Sequence, residues 1–169
     1  MPALIAKRLH RFCLGRPCRI IPSGGKPYLV RVYLRHWADG SRTYLHRFVS
    51  RDAERWVHDH PFDGKSLVLS GSYVEEVLHT LSADPVRYRR RWCNAVPAHK
   101  LHRIVDVEPD TWTLFHHGPH RHRWGFLEPI DTEDGSIAML YHNPFDQGDS
   151  AGAHWWAKPG VAVYPPEGC

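Results

Sequence analysis

Short runs of β-branched and aromatic residues, separated by turn-forming residues, recur along this chain and constrain its fold more than any other feature. Residues 28–37 (YLVRVYLRHW) end at the turn Ala38-Asp39-Gly40, and residues 43–49 follow as the second half of a hairpin. The same pattern predicts further strands at 66–77, 87–92, 103–107, 111–117, 121–126 and 137–142. About eight to ten such strands predict an all-β sandwich or barrel, with a jelly roll among the options.

The two ends of the chain differ from this central β-rich part. Residues 2–13 have the pattern of a short amphipathic helix. The chain from residue 143 onward is rich in Pro and Gly, and its aromatic residues suggest that it docks. We therefore expect one barrel at 28–142, an N-terminal arm at 1–27 and a largely irregular tail at 143–169 that packs on the barrel. A helical turn capped by Ser50 is expected at 50–56.

Length, cysteine content and charge limit the classes of function. A chain of 169 residues fits one domain. Its apolar stretches are too short for a signal peptide or a membrane span, so a cytoplasmic location is expected. The four cysteines are too sparse for a disulfide framework. Cys13 and Cys18 have a spacing that a zinc site could use, but no second pair completes it.

The net charge of +4 raises the question of nucleic-acid binding. The densest basic run lies at 87–91, where alternate arginines share one face of a predicted strand. A solvated strand face explains this run more simply than an RNA-binding surface. We therefore expect a small-molecule substrate or ligand as the partner, no membrane and no nucleic acid, and we leave open whether the chain forms a homodimer.

Two of the fourteen histidines stand out by their spacing. His58 and His60 flank Asp59, so both imidazoles point to the same side of an extended segment. Imidazole suits Zn, Cu, Fe and Ni, so the pair by itself names no metal. His120 and His122 have the same spacing and, together with His116, form an alternative cluster.

The surroundings of the first pair resemble the two metal-binding motifs of the cupin superfamily. The segment 58–71 (HDHPFDGKSLVLSG) is similar to the first motif, with Gly71 eleven residues after His60. The segment 97–106 (PAHKLHRIVD) is similar to the second motif, with His102 at the position of a metal ligand. Residues 28–126 as a whole resemble small bacterial and phage-encoded cupins that share an HDHP segment.

This resemblance implies a single double-stranded β-helix, or jelly-roll, barrel that holds one divalent metal ion through His58, His60 and His102. The first motif usually carries a Glu ligand, but this chain has Gly64 and Lys65 there. Asp63 is the nearest carboxylate and is the candidate for a fourth ligand.

The second motif also departs from the family pattern, because His99 replaces its usual Gly and Asp106 its usual Asn. His99 therefore stays an alternative to His102 as a ligand. A barrel without metal is a further alternative.

Three-His cupins of known activity include dioxygenases, so the resemblance implies a non-haem Fe(II) dioxygenase-like enzyme acting on a small molecule. Zn, Ni or Mn would suit the same ligands, and with Zn or Ni an isomerase or hydrolase is the alternative. A non-catalytic barrel that binds or senses a small molecule is a third option. Arg47, Arg103 and Arg123 are candidates to anchor a substrate carboxylate, and Arg123 is preferred because it adjoins Trp124.

Overall fold

The structure is a computed structural model, and it describes residues 2–23, 25–51, 56–81, 83–129, 137–141 and 154–166. Within these residues the chain forms one α-helix, α1 (Pro2–Cys13), at the position predicted from the sequence. The strands are β1 (Cys18–Ser23), β2 (Lys26–His36), β3 (Arg42–Phe48), β4 (Gly64–Ser70), β5 (Tyr73–Leu78), β6 (Val86–Arg90), β7 (Cys93–Val96), β8 (Leu101–Val107), β9 (Trp112–His117), β10 (Gly125–Pro129) and β11 (Ile137–Tyr141).

These strands form two antiparallel sheets. The larger sheet has the order β1-β2-β3-β9-β4-β7, and the smaller has the order β6-β5-β8. The segment at His58 extends the smaller sheet, because it bridges both His102 in β8 and Phe126 in β10. Between β3 and β9 the chain repeatedly crosses from one sheet to the other, which is the connectivity of a jelly roll. The predicted all-β fold class is confirmed.

Gly71 marks one of these crossings. The sequence predicts one strand over 66–77, but the structure contains two strands, β4 and β5, that belong to different sheets. Gly71 has a φ of 69°, and a Cβ atom there would lie 2.3 Å from Oγ1 and 2.9 Å from Cα of Thr111. Only glycine satisfies both the positive φ and this close approach, so it ends one strand and lets the chain enter the other sheet.

The N-terminal segment and the end of the described tail, at Tyr164, cover the outer face of the larger sheet. Ala6 and Cys13 of α1 are buried there together with Trp112 of β9 and Tyr164 of the tail. The Tyr164 hydroxyl also lies 2.5 Å from Nδ1 of His10 in α1. The segment 1–27, expected to be an arm, additionally supplies β1, which pairs with β2 at the sheet edge.

The basic strand β6 is an edge strand of the smaller sheet, and acidic residues on the outer face of that sheet neutralise part of its charge. Glu76 of β5 lies opposite both Arg87 of β6 and Arg103 of β8. Its carboxylate forms ion pairs at 2.9 Å with Arg87 and at 2.8 Å with Arg103. Arg89 likewise lies 3.2 Å from Glu108. These cross-strand pairs explain the alternating arginines as the outer face of a sheet.

Some sequence predictions fall on residues that the structure does not describe. They include residues 52–55 of the helical turn expected at 50–56, and residues 142–153, which belong mainly to the expected tail. Over the described residues, no helix has both the length and the apolar character that a membrane span requires.

Candidate metal centre

The fold brings His58, His60 and His102 together at the inner face of the barrel. Two backbone hydrogen bonds join His58 and His102, with N···O distances of 3.0 and 2.9 Å. His60 follows two residues after His58 in the same extended segment, so its side chain lies on the same side. One nitrogen from each imidazole lies within 4.8 Å of the other two, and Nε2 of His60 is 2.7 Å from Nε2 of His102.

Hydrogen bonds at the far side of two rings orient these ligands. Nδ1 of His58 lies 3.1 Å from the carbonyl oxygen of Trp56, and Nδ1 of His102 lies 2.5 Å from Oε1 of Glu75. Because both partners are acceptors, Nδ1 carries a proton in each ring, which leaves Nε2 as the nitrogen available to a metal ion. A histidine held by an acceptor in this way is the usual arrangement of a metal ligand.

Glu75 is fully buried behind His102 and is surrounded by donors. Its carboxylate lies 2.7 Å from Lys100, 2.8 Å from Arg90 and 2.9 Å from the Asn94 amide. Burial by itself would raise the pKa of Glu75, but the hydrogen bonds from His102, Lys100 and Asn94 hold it well below its usual range. A charged carboxylate is therefore fixed against the back of His102.

The three histidines fit a divalent transition metal. One nitrogen from each ring lies within 4.8 Å of the other two, so a single ion could reach all three, and Nε2 of His60 and Nε2 of His102 share a hydrogen bond of 2.7 Å. Burial, and then the neighbouring His102 and His58, lower the pKa of His60 well below its usual value. His60 is therefore neutral near pH 7, as a ligand must be. Three imidazole donors suit Fe, Zn, Ni or Cu better than Mg or Ca.

Asp59, between the two histidines of the pair, fixes the segment that carries them. Its Oδ1 accepts a hydrogen bond of 2.7 Å from the backbone N–H of Gly125, and its own N–H donates to the Gly125 carbonyl at 3.0 Å. Burial raises the pKa of Asp59. Asp59 therefore attaches the histidine segment to β10 instead of pointing to the metal site.

The structure does not bring Asp63 to the three histidines. Oδ1 of Asp63 accepts a hydrogen bond of 2.8 Å from the Ala98 N–H, and its Oδ2 lies 2.8 Å from Arg121. These contacts join the loop before β4 to the segment before β8 and to the segment between β9 and β10. The role of Asp63 as a fourth ligand stays a prediction that this geometry does not support.

The other candidate ligands lie elsewhere. His99 is exposed and is not part of the group around His102. His116, His120 and His122 are exposed as well. Among the described residues, the three-His group is the one cluster whose donor atoms could meet at a single ion, and it includes neither Cys13 nor Cys18.

A cavity that opens to solvent adjoins the three histidines. Its walls are largely apolar and aromatic, and the Trp124 ring centroid lies 4.5 Å from that of His60. Arg123 is exposed and does not line this cavity, and neither does Arg47. Arg103 lines the cavity but is paired with Glu76. The substrate-anchoring role of Arg123 stays a prediction.

Two charged residues of this region, the buried Glu75 and the half-buried Arg31, were not singled out by the sequence analysis, although the sequence carries a signal for each. Glu75 shares its strand face with Tyr73 and Val77, so an acidic residue occupies an inward position of an otherwise apolar run. Arg31 interrupts the apolar run of β2 in the same way, and it lines the cavity beside His46. A charged residue at the inward position of a barrel strand indicates a functional or paired group.

No protein-family model and no curated protein matches this chain. Among solved structures, Fe(II)-HppE with the alternative substrate (S)-1-HPP is 14% identical, with a TM-score of 0.49, over 61% of this chain and 55% of that chain. A putative mannose-6-phosphate isomerase from Ralstonia eutropha JMP134 is 22% identical, with a TM-score of 0.45, over 59% of this chain and 91% of that chain. An acetylacetone dioxygenase from Acinetobacter johnsonii is 12% identical, with a TM-score of 0.41, over 74% and 79% of the two chains.

The chain thus spans little more than half the length of the HppE chain that it resembles. Because these TM-scores lie below 0.5, the chemistry of the site is inferred from its own residues.

Proposed function

We propose that this protein is a non-haem iron(II) enzyme of the dioxygenase type, in which His58, His60 and His102 bind the metal and a small molecule occupies the adjoining cavity. The observation that carries this proposal is the convergence of three imidazoles, two with Nδ1 held by an acceptor so that Nε2 is left for a metal, on the wall of a largely apolar cavity.

The donor set supports an open metal centre. Three neutral imidazoles leave a divalent ion its full positive charge, and three protein ligands leave coordination positions for other molecules. Iron(II) in such a site supplies the activation of O₂ next to a bound substrate. The protein would orient the ligands through Trp56 and Glu75, and its aromatic walls, including Trp124, would limit the access of water.

Metal analysis tests the site itself. We expect about one divalent ion per chain in protein purified without chelators, and a loss of most of it in His58→Ala, His60→Ala and His102→Ala. His99→Ala is the matched control, because this exposed histidine lies three residues before His102 and is not part of the group. Metal content unchanged in His102→Ala, or lost equally in His99→Ala, would contradict the proposal.

A second measurement tests the choice of iron and oxygen. Nitric oxide, used as a probe for O₂, is expected to give a high-spin iron–nitrosyl EPR signal with the Fe(II)-loaded protein, because the site has open positions. The signal should be absent from His102→Ala. Protein that retains zinc through iron loading, or an iron centre that does not bind nitric oxide, would overturn the oxygenase assignment and favour Lewis-acid or binding functions.

A further inference from the structure

The wall of the cavity contributed by the larger sheet contains a polar row that the metal centre does not use. Arg31 of β2 pairs with His46 of β3, and His46 pairs with Thr113 of β9. All three line the same cavity as the metal-site histidines. Because directly opposed residues of antiparallel strands have neighbouring side chains, these three groups form one continuous strip across the interior.

His46 holds the Arg31 guanidinium in place. Nε of Arg31 donates a hydrogen bond of 3.2 Å to Nε2 of His46, so this ring carries its proton on Nδ1. Burial and the adjacent Arg31 keep the pKa of His46 well below its usual value, so it remains a neutral acceptor. The rings of Tyr44 and Phe115 stack on His46, with centroid distances of 6.0 and 5.0 Å. The Arg31 guanidinium also lies 5.0 Å above the Tyr44 ring.

Thr113 supplies the second polar group of the row. It is 1% exposed, and its hydroxyl has no hydrogen-bond partner among the described residues. A buried hydroxyl without a partner is costly, so it is most readily explained by a group that the cavity receives. Such a group would meet an O–H donor from Thr113 beside the N–H donors of Arg31.

The charge of the cavity favours an anion. Among the described residues that line it, Arg31 and Arg103 are charged and none is Asp or Glu. Because Arg103 is paired with Glu76 on the outer face of the smaller sheet, the positive charge toward the cavity comes from Arg31. A divalent ion on three neutral imidazoles would add further positive charge. The rest of the lining is mainly apolar, with rings such as Phe48, Phe115 and Trp124. The cavity therefore combines donors for one anionic group with apolar walls for an organic body.

We propose that Arg31 and Thr113 form an anion-binding subsite for the carboxylate of a small, largely apolar organic acid. This inference rests on the proposed function only in taking that acid as the substrate of the metal centre. One guanidinium and one hydroxyl match the two oxygens of a carboxylate, whereas a phosphate would require more donors. Arg31 is thus a binding residue, and His46 is a positioning residue that acts through it.

Binding to the metal-free protein tests the subsite independently of the metal. Benzoate and its uncharged analogue benzamide serve as probes, and isothermal titration calorimetry reports their affinity. We expect benzoate to bind at least about tenfold more tightly than benzamide, because charge-assisted hydrogen bonds to Arg31 require the carboxylate. Arg31→Gln should abolish that difference, and Arg31→Lys should retain part of it because it keeps the charge but not the fork of donors.

Arg35→Gln is the matched control, because Arg35 lies on the same strand, is exposed and stacks on Trp37 at 3.7 Å. It should bind benzoate as the unsubstituted protein does. Thr113→Val, which preserves the shape of the side chain, provides a second test if Arg31→Gln fails to fold, and it should weaken benzoate binding about threefold or more. Equal affinity for benzoate and benzamide, unchanged benzoate binding in Arg31→Gln or Thr113→Val, or binding of inorganic phosphate in preference to benzoate would overturn the proposal.

The metal content of the same variants separates this inference from the proposed function. Arg31→Gln should retain the metal content of the unsubstituted protein, whereas His102→Ala should lose metal but, in the metal-free assay, keep its preference for benzoate. If His102→Ala loses metal but keeps its preference for benzoate, the anion site lies at Arg31 and not at the histidines. A preference for benzoate that disappears in His102→Ala and persists in Arg31→Gln would place the anion at the histidines instead and refute the assignment.

Discussion

Glu75→Gln tests whether the buried carboxylate behind His102 strengthens metal binding. The substitution preserves size and an acceptor oxygen but removes the negative charge from a side chain that is fully buried. Removing the hydrogen-bonded acceptor behind a metal-binding histidine typically weakens metal affinity about 10- to 100-fold. We therefore expect the dissociation constant of the metal to rise by that factor, which corresponds to about 1.4–2.7 kcal/mol.

The same substitution should lower the stability of the fold. Lys100 and Arg90, whose side chains are 11% and 24% exposed, would lose the carboxylate that they share. Breaking a buried ion pair from one side costs about 3–5 kcal/mol, a large part of the roughly 5–15 kcal/mol of a typical domain. Adding Lys100→Met removes one uncompensated charge, so the double variant should regain part of the stability without regaining metal affinity.

Glu76→Gln is the matched control for these effects. Glu76 is the next residue along β5, its side chain is 7% exposed, and it holds Arg87 and Arg103 on the outer face without contacting a ligand histidine. It should lower the free energy of unfolding but leave metal affinity unchanged.

The assay has two parts: competition with a chromophoric chelator at neutral pH measures metal affinity, and urea unfolding of the metal-free protein measures stability. If Glu75→Gln binds metal within about twofold of the unsubstituted protein, or if Glu76→Gln weakens metal binding equally, the carboxylate does not tune His102 and the reasoning fails.

Three further predictions concern the fold around the site. Gly71→Ala should destabilise the protein by more than the roughly 1–2 kcal/mol that a positive φ costs an alanine, because the added methyl group would clash with Thr111. Gly15→Ala is the control, because Gly15 has a φ of 72° and open space around it. In thermal unfolding it should lose only the free energy that the positive φ costs. Burial lowers the pKa of His117 to about 3, so the unfolded state binds more protons than the folded state between pH 6.5 and 3. The free energy of unfolding should therefore fall as the pH falls through that window, by up to about 1.4 kcal/mol per pH unit from this residue. In urea titrations at several pH values, His117→Asn should show a shallower pH dependence, and an unchanged slope would contradict the assignment. Asp59→Ala should cost about 1–3 kcal/mol and accelerate hydrogen exchange of the Gly125 amide, whereas Asp59→Asn, which keeps the acceptor oxygen, should do neither to the same extent.

The local part of the fold could be predicted from the sequence because it depends on residues that are near one another in the chain. The period of the apolar residues gave α1 at its observed bounds, and the alternating runs gave the hairpin of β2 and β3. The prediction of a single strand over 66–77 was wrong, although a glycine inside a strand does indicate a bulge or a close backbone approach. The group that approaches Gly71 could not be named from the sequence, because Thr111 is forty residues away. The strand β7 was missed since it is only four residues long and directly follows β6.

In the candidate site, too, features set by residues near one another in the chain could be predicted, and contacts between distant segments could not. The spacing of His58 and His60 predicts a shared direction, and the motif around His102 places a third ligand, and the structure brings all three together. Asp63 was proposed as a ligand because it is close in sequence, but its oxygens bind Ala98 and Arg121. Neither of these partners can be inferred from spacing alone, because both contacts depend on how distant loops meet.

The absence of a Glu from the first motif has an electrostatic consequence that links the two sheets. In this chain the buried carboxylate is that of Glu75, which lies behind the His102 ring and is separated by it from the metal site. The positive charges of Lys100 and Arg90 there outweigh its negative charge. The donor set that faces the cavity is therefore neutral, and a divalent ion bound there would keep its full charge toward the interior. On the opposite wall, Arg31 adds a positive charge that His46 holds in position. A small carboxylate placed between these walls would be attracted by both, which agrees with the substrate class proposed above.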